Sequence, residues 1–343
     1  MCVSKTQLIC LTAALAVGAG CRQVLGIDEV VRTSWSEATP DAESPSPRNS
    51  HALSYDAARQ RVVLFGGRSE DDDELQDTWE WDGASWSEAA TSAGAPPARR
   101  AHALAYDAAR EQVVLFGGLG EGDDELSDTW TWDGAAWTDV TPDEGSPAAR
   151  QGHALAYDAV RERVVLFGGI AEPLNFFGDT WTWDGETWEE VTPPSGSPEA
   201  RESHALTYDD LRERVVLFGG SDEPLNLLND TWEWDGSEWS QIEPAGQSPE
   251  ARGLHALTYD PTRSRVVLFG GLPDDLLLRR LDDTWEWDGA AWTESEPDLA
   301  APAARSGHAL AYEGASRRVL LFGGYDGSDR FADTWLEGPP LGE

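Results

Sequence analysis

The chain has 343 residues and a formal net charge of −38, from 63 acidic against 25 basic residues. That balance excludes nucleic-acid or anionic-membrane binding through a basic surface, whereas 40% hydrophobic residues can build a packed core. All three cysteines lie within the first 21 residues, so the rest of the chain has no disulfide, no cysteine-based metal site and no cysteine nucleophile.

Residues 1–20 read as a signal peptide. Lys5 precedes an apolar stretch that ends in Gly18, Ala19 and Gly20 before Cys21. The small-small-Cys ending resembles a bacterial lipoprotein signal, which implies that Cys21 is diacylated and becomes the mature N-terminus. Gly18 departs from that pattern, which usually has Leu there, and plain cleavage near Ala19 is the alternative. A single lysine and abundant Ala, Gly, Arg and Asp fit a high-GC bacterial source. The expected location is therefore the bacterial cell envelope or outer surface, with a lipid anchor as the one membrane contact. Residues 21–33 form the linker, and nothing beyond the leader approaches the roughly 20 apolar residues of a membrane span.

From residue 48 the chain repeats itself. All six histidines, His51, His102, His153, His204, His255 and His308, recur every 51 or 53 residues. Gly-Gly pairs begin at Gly66, Gly117, Gly168, Gly219, Gly270 and Gly323. Asp-Thr-Trp begins at Asp77, Asp128, Asp179, Asp230, Asp283 and Asp333, and five units continue into WDGxxW. Each unit reads as four strands. HALxYD is strand A, the RVVLF segment strand B, the DTWxW segment strand C, and the segment around the last Trp strand D. Asp-Gly between C and D is a hairpin signal.

Four strands per unit of about 50 residues, with Gly-Gly after an apolar strand and a later Trp-x-Trp, resembles the kelch repeat over residues 34–337. The resemblance implies an all-β fold, a six-bladed β-propeller with four antiparallel strands per blade, like the central domain of galactose oxidase. The sixth unit lacks WDGxxW, but Ser34-Trp35-Ser36-Glu37-Ala38 nearly duplicates the segment around Trp86. Residues 34–39 are therefore expected to supply strand D of blade six, making 34–343 one propeller without exposed sheet edges at its closure.

Most repeated residues have a packing explanation. The 17 Trp and the six repeated Tyr read as inter-blade core. The histidines read as strand-start residues bonded to neighbouring backbone, not as a metal site, because a sixfold ring does not converge on one ion. An Arg precedes each His by three: Arg48, Arg99, Arg150, Arg201, Arg252 and Arg305. Pairing with the Asp of strand C is one reading; a cationic ring that binds an anion is the other. The acidic B–C loops of blades one and two lack the spaced ligands of a calcium loop.

Subtracting this scaffold leaves the B–C and D–A loops, which share one face of the disc. Phe176, Phe177, Tyr325 and Phe331 lie in B–C loops, and Leu227, Leu228, Leu277 and Leu278 extend an apolar sector over blades three to five. Arg100, Gln151 and Glu202 vary at the channel mouth. These residues are the candidate contacts, because variation on a repeated frame marks a binding surface. The expected function is non-catalytic binding of a protein or glycan by a monomer, with no cofactor. The alternative is a carbohydrate-active enzyme, similar to sialic-acid epimerases, with a site at the channel mouth. Galactose-oxidase copper chemistry fails for want of a Cys.

Overall fold

A computed structural model of the protein describes residues 34–38, 43–89, 94–224, 226–273, 279–295 and 300–338. The signal peptide, Cys21, the linker, Leu277 and Leu278 lie outside the described residues. The rest is a six-bladed β-propeller. The A strands are Ala52–Asp56, Ala103–Asp107, Ala154–Asp158, Ala205–Asp209, Ala256–Asp260 and Ala309–Glu313. They contact one another in a closed ring, blade six touching blade one. Each pairs antiparallel with strand B of its blade, B with C, and C with D. In blade one the register runs Leu53↔Leu64, Leu64↔Trp79 and Trp81↔Trp86, and the other complete blades repeat it.

The closing strand is Ser34–Ala38. It pairs antiparallel with Thr334–Gly338, Trp35 opposite Glu337 and Ala38 opposite Thr334. The last blade thus takes its outer strand from the N-terminal side of the repeats, and residue 39 falls outside the described residues.

The core lies between blades, not within them. Val63 and Phe65 of blade one pack with Leu104, Val113, Leu115, Trp132 and Trp137 of blade two. The B strands show why their sequence is apolar throughout: from the first Val to the Phe, both faces are covered and exposure is 0–1%. The outermost Trp does two things at once. Trp137 meets Phe65 of the preceding blade edge-on at 5.1 Å, and its Nε1–H donates to Thr78 Oγ1 at 2.9 Å. The same Trp→Thr bond occurs at all six seams, including Trp86→Thr334 and, through the closing strand, Trp35→Thr284. This accounts for the Thr of Asp-Thr-Trp, and each buried Trp adds about 2–3 kcal/mol of apolar burial.

The Gly-Gly pair ends the regular run of strand B with two residues at positive φ, +60° and +106° in blade one. A Cβ on Gly66 would sit 2.7 Å from the Arg99 carbonyl oxygen, and one on Gly67 would sit 2.8 Å from His51 Cβ. Glycine lets the next blade's D–A segment lie directly on the strand.

Candidate functional site

The B–C and D–A loops share one face of the disc. Its floor is built by the repeated arginines. Arg150 is buried, and its guanidinium grips Asp179 through two bonds of 2.6 and 2.8 Å, while Nη1 also donates to the Gly168 carbonyl at 2.9 Å. Trp181 Nε1–H donates to the same carboxylate at 2.7 Å. Burial opposes ionisation of Asp179, but the Arg150 pair outweighs it and holds the carboxyl below its usual range. All six arginines make the equivalent pair within their own blade. Pairing, not a cationic ring, is therefore their role: each guanidinium is buried and bonded to carboxylate and backbone.

The histidines stand behind this floor, between blades. His153 Nε2 lies 3.1 Å from the Phe116 carbonyl, and its ring meets the Phe116 ring edge-on. Burial, reinforced by Arg150, pushes its pKa down to about 3. The imidazole is neutral, and Nε2–H is the donor to the carbonyl. His51, His204 and His308 are shifted to about 3 for the same reasons.

At the axis, the residue before each His is left-handed: Ser50, Ala101, Gly152, Ser203, Leu254 and Gly307, with φ from +53° to +65°. Their backbones form a closed hydrogen-bonded hoop. Ala101 N–H donates to Ser50 O, Gly152 to Ala101, Ser203 to Gly152, Leu254 to Ser203, Gly307 to Leu254 and Ser50 to Gly307, all at 2.7–3.0 Å. The hoop uses only main-chain atoms, so residue identity did not announce it.

The structure places the candidate contacts in two groups. Phe177 stacks on the Arg150 guanidinium at 4.0 Å, and Phe331 on Arg305 at 4.1 Å. The carbonyls of Phe177, Leu228 and Phe331 accept the N–H of the next blade's arginine at 3.0–3.1 Å. These three occupy a repeated apolar position, two residues before the Asp of strand C, shared with Leu75, Leu126 and Leu281. They are scaffold, which corrects their reading as residues outside the repeat. The signal was in the sequence but was masked by the alternation of Leu and Phe.

The position one residue earlier is different. It holds Glu74, Glu125, Phe176, Leu227, Arg280 and Arg330 in blade order, all half-buried. The face therefore carries an acidic sector on blades one and two, an apolar sector on blades three and four, and a basic sector on blades five and six. Leu174, 62% exposed, adds to the apolar sector. The basic sector was not anticipated, and it limits the described apolar surface to blades three and four. Tyr325 belongs to it, its ring 5.5 Å from both Arg280 and Arg330. Arg100 binds Glu74 and, at 2.9 Å, Asp123; Arg330 binds Asp72 at 2.6 Å and Asn49 at 2.8 Å. The channel-mouth residues Arg100, Gln151 and Glu202 also pair by backbone with the extension of strand B. Burial raises the pKa of the Glu202 carboxyl, which sits over Gly152. Between blades one and two a cleft of about 430 Å³ is lined by Glu74, Glu121, Asp124 and Leu126.

The repeated arginines are thus held within their blades, the repeated histidines pack between blades, and the B–C loops differ from blade to blade. The chain belongs to the kelch-repeat family: the KLHDC2/KLHL20/DRC7 Kelch-repeats domain matches residues 17–220 and 211–337. It is similar to the F-box/kelch-repeat protein At1g51550 of Arabidopsis thaliana, with 27% identity over 88% of this chain and 72% of that protein. It is also similar to host cell factor 1 of Homo sapiens, with 26% identity over 82% of this chain but only 16% of that protein. The solved structure of YjhT superposes with a TM-score of 0.64 and 15% identity, covering 86% of this chain and 96% of that one, a likeness of fold.

Proposed function

We propose that this chain is a non-catalytic binding propeller whose partner is a protein docking on the B–C/D–A face. Kelch-repeat propellers related to it are typically protein-interaction proteins. The observation that carries the reading is a loop position, among the described residues, where the scaffold makes no repeated demand and where side chains sort into acidic, apolar and basic pairs around the axis. A partner segment would place a cationic side chain in the cleft between blades one and two. It would set an apolar one on Phe176 and Leu227, and a carboxylate near Arg280 and Arg330. Charge of both signs on one face fixes orientation and rejects wrong partners. Leu277 and Leu278 extend the apolar sector in this proposal. Export, and anchorage through a lipidated Cys21, complete it; they rest on the leader sequence alone.

The test is affinity capture from the source's envelope proteins with the mature chain. Phe176→Ser combined with Leu227→Ser should abolish capture of the partner, while Leu211→Ser on the opposite face should not. Retention by the first variant and loss by the second, both folded, overturns the assignment. Binding to a glycan array with no protein captured would shift the partner to carbohydrate. Mass spectrometry of the native N-terminus checks the anchor: an unmodified Cys21 rejects it.

A further inference from the structure

The opposite end of the channel carries a cavity of about 350 Å³. It lies among the A strands on the side of the A–B turns, and none of the hoop residues lines it. Its walls are the leucine and the tyrosine of every A strand, so it is apolar and aromatic nearly all round. Its size is at the lower end of small-molecule sites.

The sixfold pattern is broken at blade four. The turn position after each A strand is Ala57, Ala108, Ala159, Asp210, Pro261 and Gly314, so one carboxylate stands on a ring of uncharged residues. Asp210 lines the cavity. Arg212, on the same turn, is engaged elsewhere, bonded to Asp209 at 2.5 Å and to the Asp288 carbonyl. Burial and the neighbouring Asp209 charge raise the Asp210 pKa. Tyr157 and Tyr259 hydroxyls accept the Ala109 and Leu211 N–H at 3.0 and 3.2 Å. Their counterpart Tyr208 turns its buried hydroxyl towards the Val160 N–H of blade three, which also donates to Asp158 at 3.1 Å. Thr207 and Thr258 add hydroxyl-bearing side chains to the same wall, where blades two, three and six have Ala105, Ala156 and Ala311.

We propose that this cavity binds a small protonated amine with an aromatic or apolar body, the ammonium resting on Asp210 and the body against the leucine and tyrosine rings. A carboxylate at an aromatic-lined mouth selects a cation, through the ion pair and through the negative faces of the rings. A neutral compound makes neither interaction. The overall charge of −38 raises the local concentration of cations. This site is independent of the protein-docking face.

The probes are benzylammonium and benzyl alcohol, titrated into the full mature chain at pH 7 and followed by tyrosine NMR shifts. Benzylammonium should shift Tyr208 and its neighbours and bind about tenfold more tightly than the alcohol. Asp210→Asn should remove that preference, whereas Glu111→Gln, which deletes a charge from an A–B turn outside the cavity, should leave it intact. Equal affinity for amine and alcohol, an unchanged preference in Asp210→Asn, or no shift up to about 10 mM amine would each overturn the proposal.

Discussion

At the seams from blade one to blade five, an arginine of the A–B turn lies across the glycine of the next blade's Asp-Gly turn: Arg59 on Gly134, Arg110 on Gly185, Arg161 on Gly236 and Arg212 on Gly289. A Cβ at any of these glycines would run into the guanidinium. Beneath the turn, Trp faces Trp, as in Trp132–Trp137 at 5.5 Å and Trp183–Trp188 at 5.4 Å. Between blades five and six the Asp-Gly turn is missing. Glu337 takes the slot of the first Trp, opposite Trp35, and Arg263 binds it at 2.6 and 2.8 Å while also holding Asp260 and Glu286 at 2.5 Å. Glu337 is fully buried and Glu286 nearly so. In the first seam type each turn arginine pairs with the buried Asp that ends its own strand A; the other places one arginine among three carboxylates. The difference teaches that breaking the repeat to let an N-terminal strand close the ring exchanged a Trp pair for a buried charge cluster.

The sharpest way to break this comparison is to remove the closing strand. A chain starting at residue 45 lacks Trp35, its bond to Thr284 and the five-residue pairing with Thr334–Gly338. Trp35→Ala alone should cost roughly 3–5 kcal/mol as a large-to-small core change, and the truncation more. Thermal melts measure it; a truncated chain melting like the parent would show that closure contributes nothing.

The closing strand was legible because Ser-Trp-Ser-Glu-Ala recurs and the sixth unit visibly lacked it. So were the blades, since a fixed period puts every Trp, His and Gly-Gly in register. The charge cluster was not legible: Glu337 looks like a tail residue until the register with Trp35 shows that it fills a Trp slot, and Arg263 looks like its four counterparts until the turn it would cover is absent. The loop face was half legible. Subtraction singled out Phe176, Leu227 and Tyr325 together with Phe177, Leu228 and Phe331, whose repeated position it missed because covering a buried guanidinium accepts either Leu or Phe and so hides its own repetition. The hoop left no trace in side-chain identity at all.

A second, smaller effect distinguishes the two seam types by pH. Burial, reinforced by the Glu286 and Asp260 charges and only partly offset by Arg263, pushes the Glu337 carboxyl up from 4.5 to about 7. Between those values the folded chain keeps a proton that the unfolded chain has released, so this group makes folding more favourable as pH falls from 7 towards 4.5. The contribution is on the order of 3–4 kcal/mol across the window, taking about 1.4 kcal/mol per pKa unit. Glu337→Gln should remove that part of the pH dependence, read as the difference between variant and parent melting temperatures at pH 5 and pH 7.5. Parallel profiles would mean that Glu337 is ionised in the fold and that Arg263 compensates it fully.

The smallest expected effect lies where all six seams are alike, at the hoop. Six residues hold positive φ there, yet only Gly152 and Gly307 are glycines; Ser50, Ala101, Ser203 and Leu254 pay a steric cost at the same angle. The conformation persists because each N–H and C=O is tied to the neighbouring blade, which over-determines the backbone. Leu254 is the bulkiest of the four and is 39% exposed, so its side chain contributes little burial in return. Leu254→Gly should therefore raise stability by up to about 1 kcal/mol, the left-handed penalty for a residue with a Cβ, less whatever glycine gains in the unfolded chain. Gly152→Val should move the other way, because a β-branched residue tolerates that φ worst. Chemical denaturation of both variants against the parent decides it. If Leu254→Gly is destabilising by more than about 1 kcal/mol, the Leu254 side chain makes a contact that the backbone hoop does not account for.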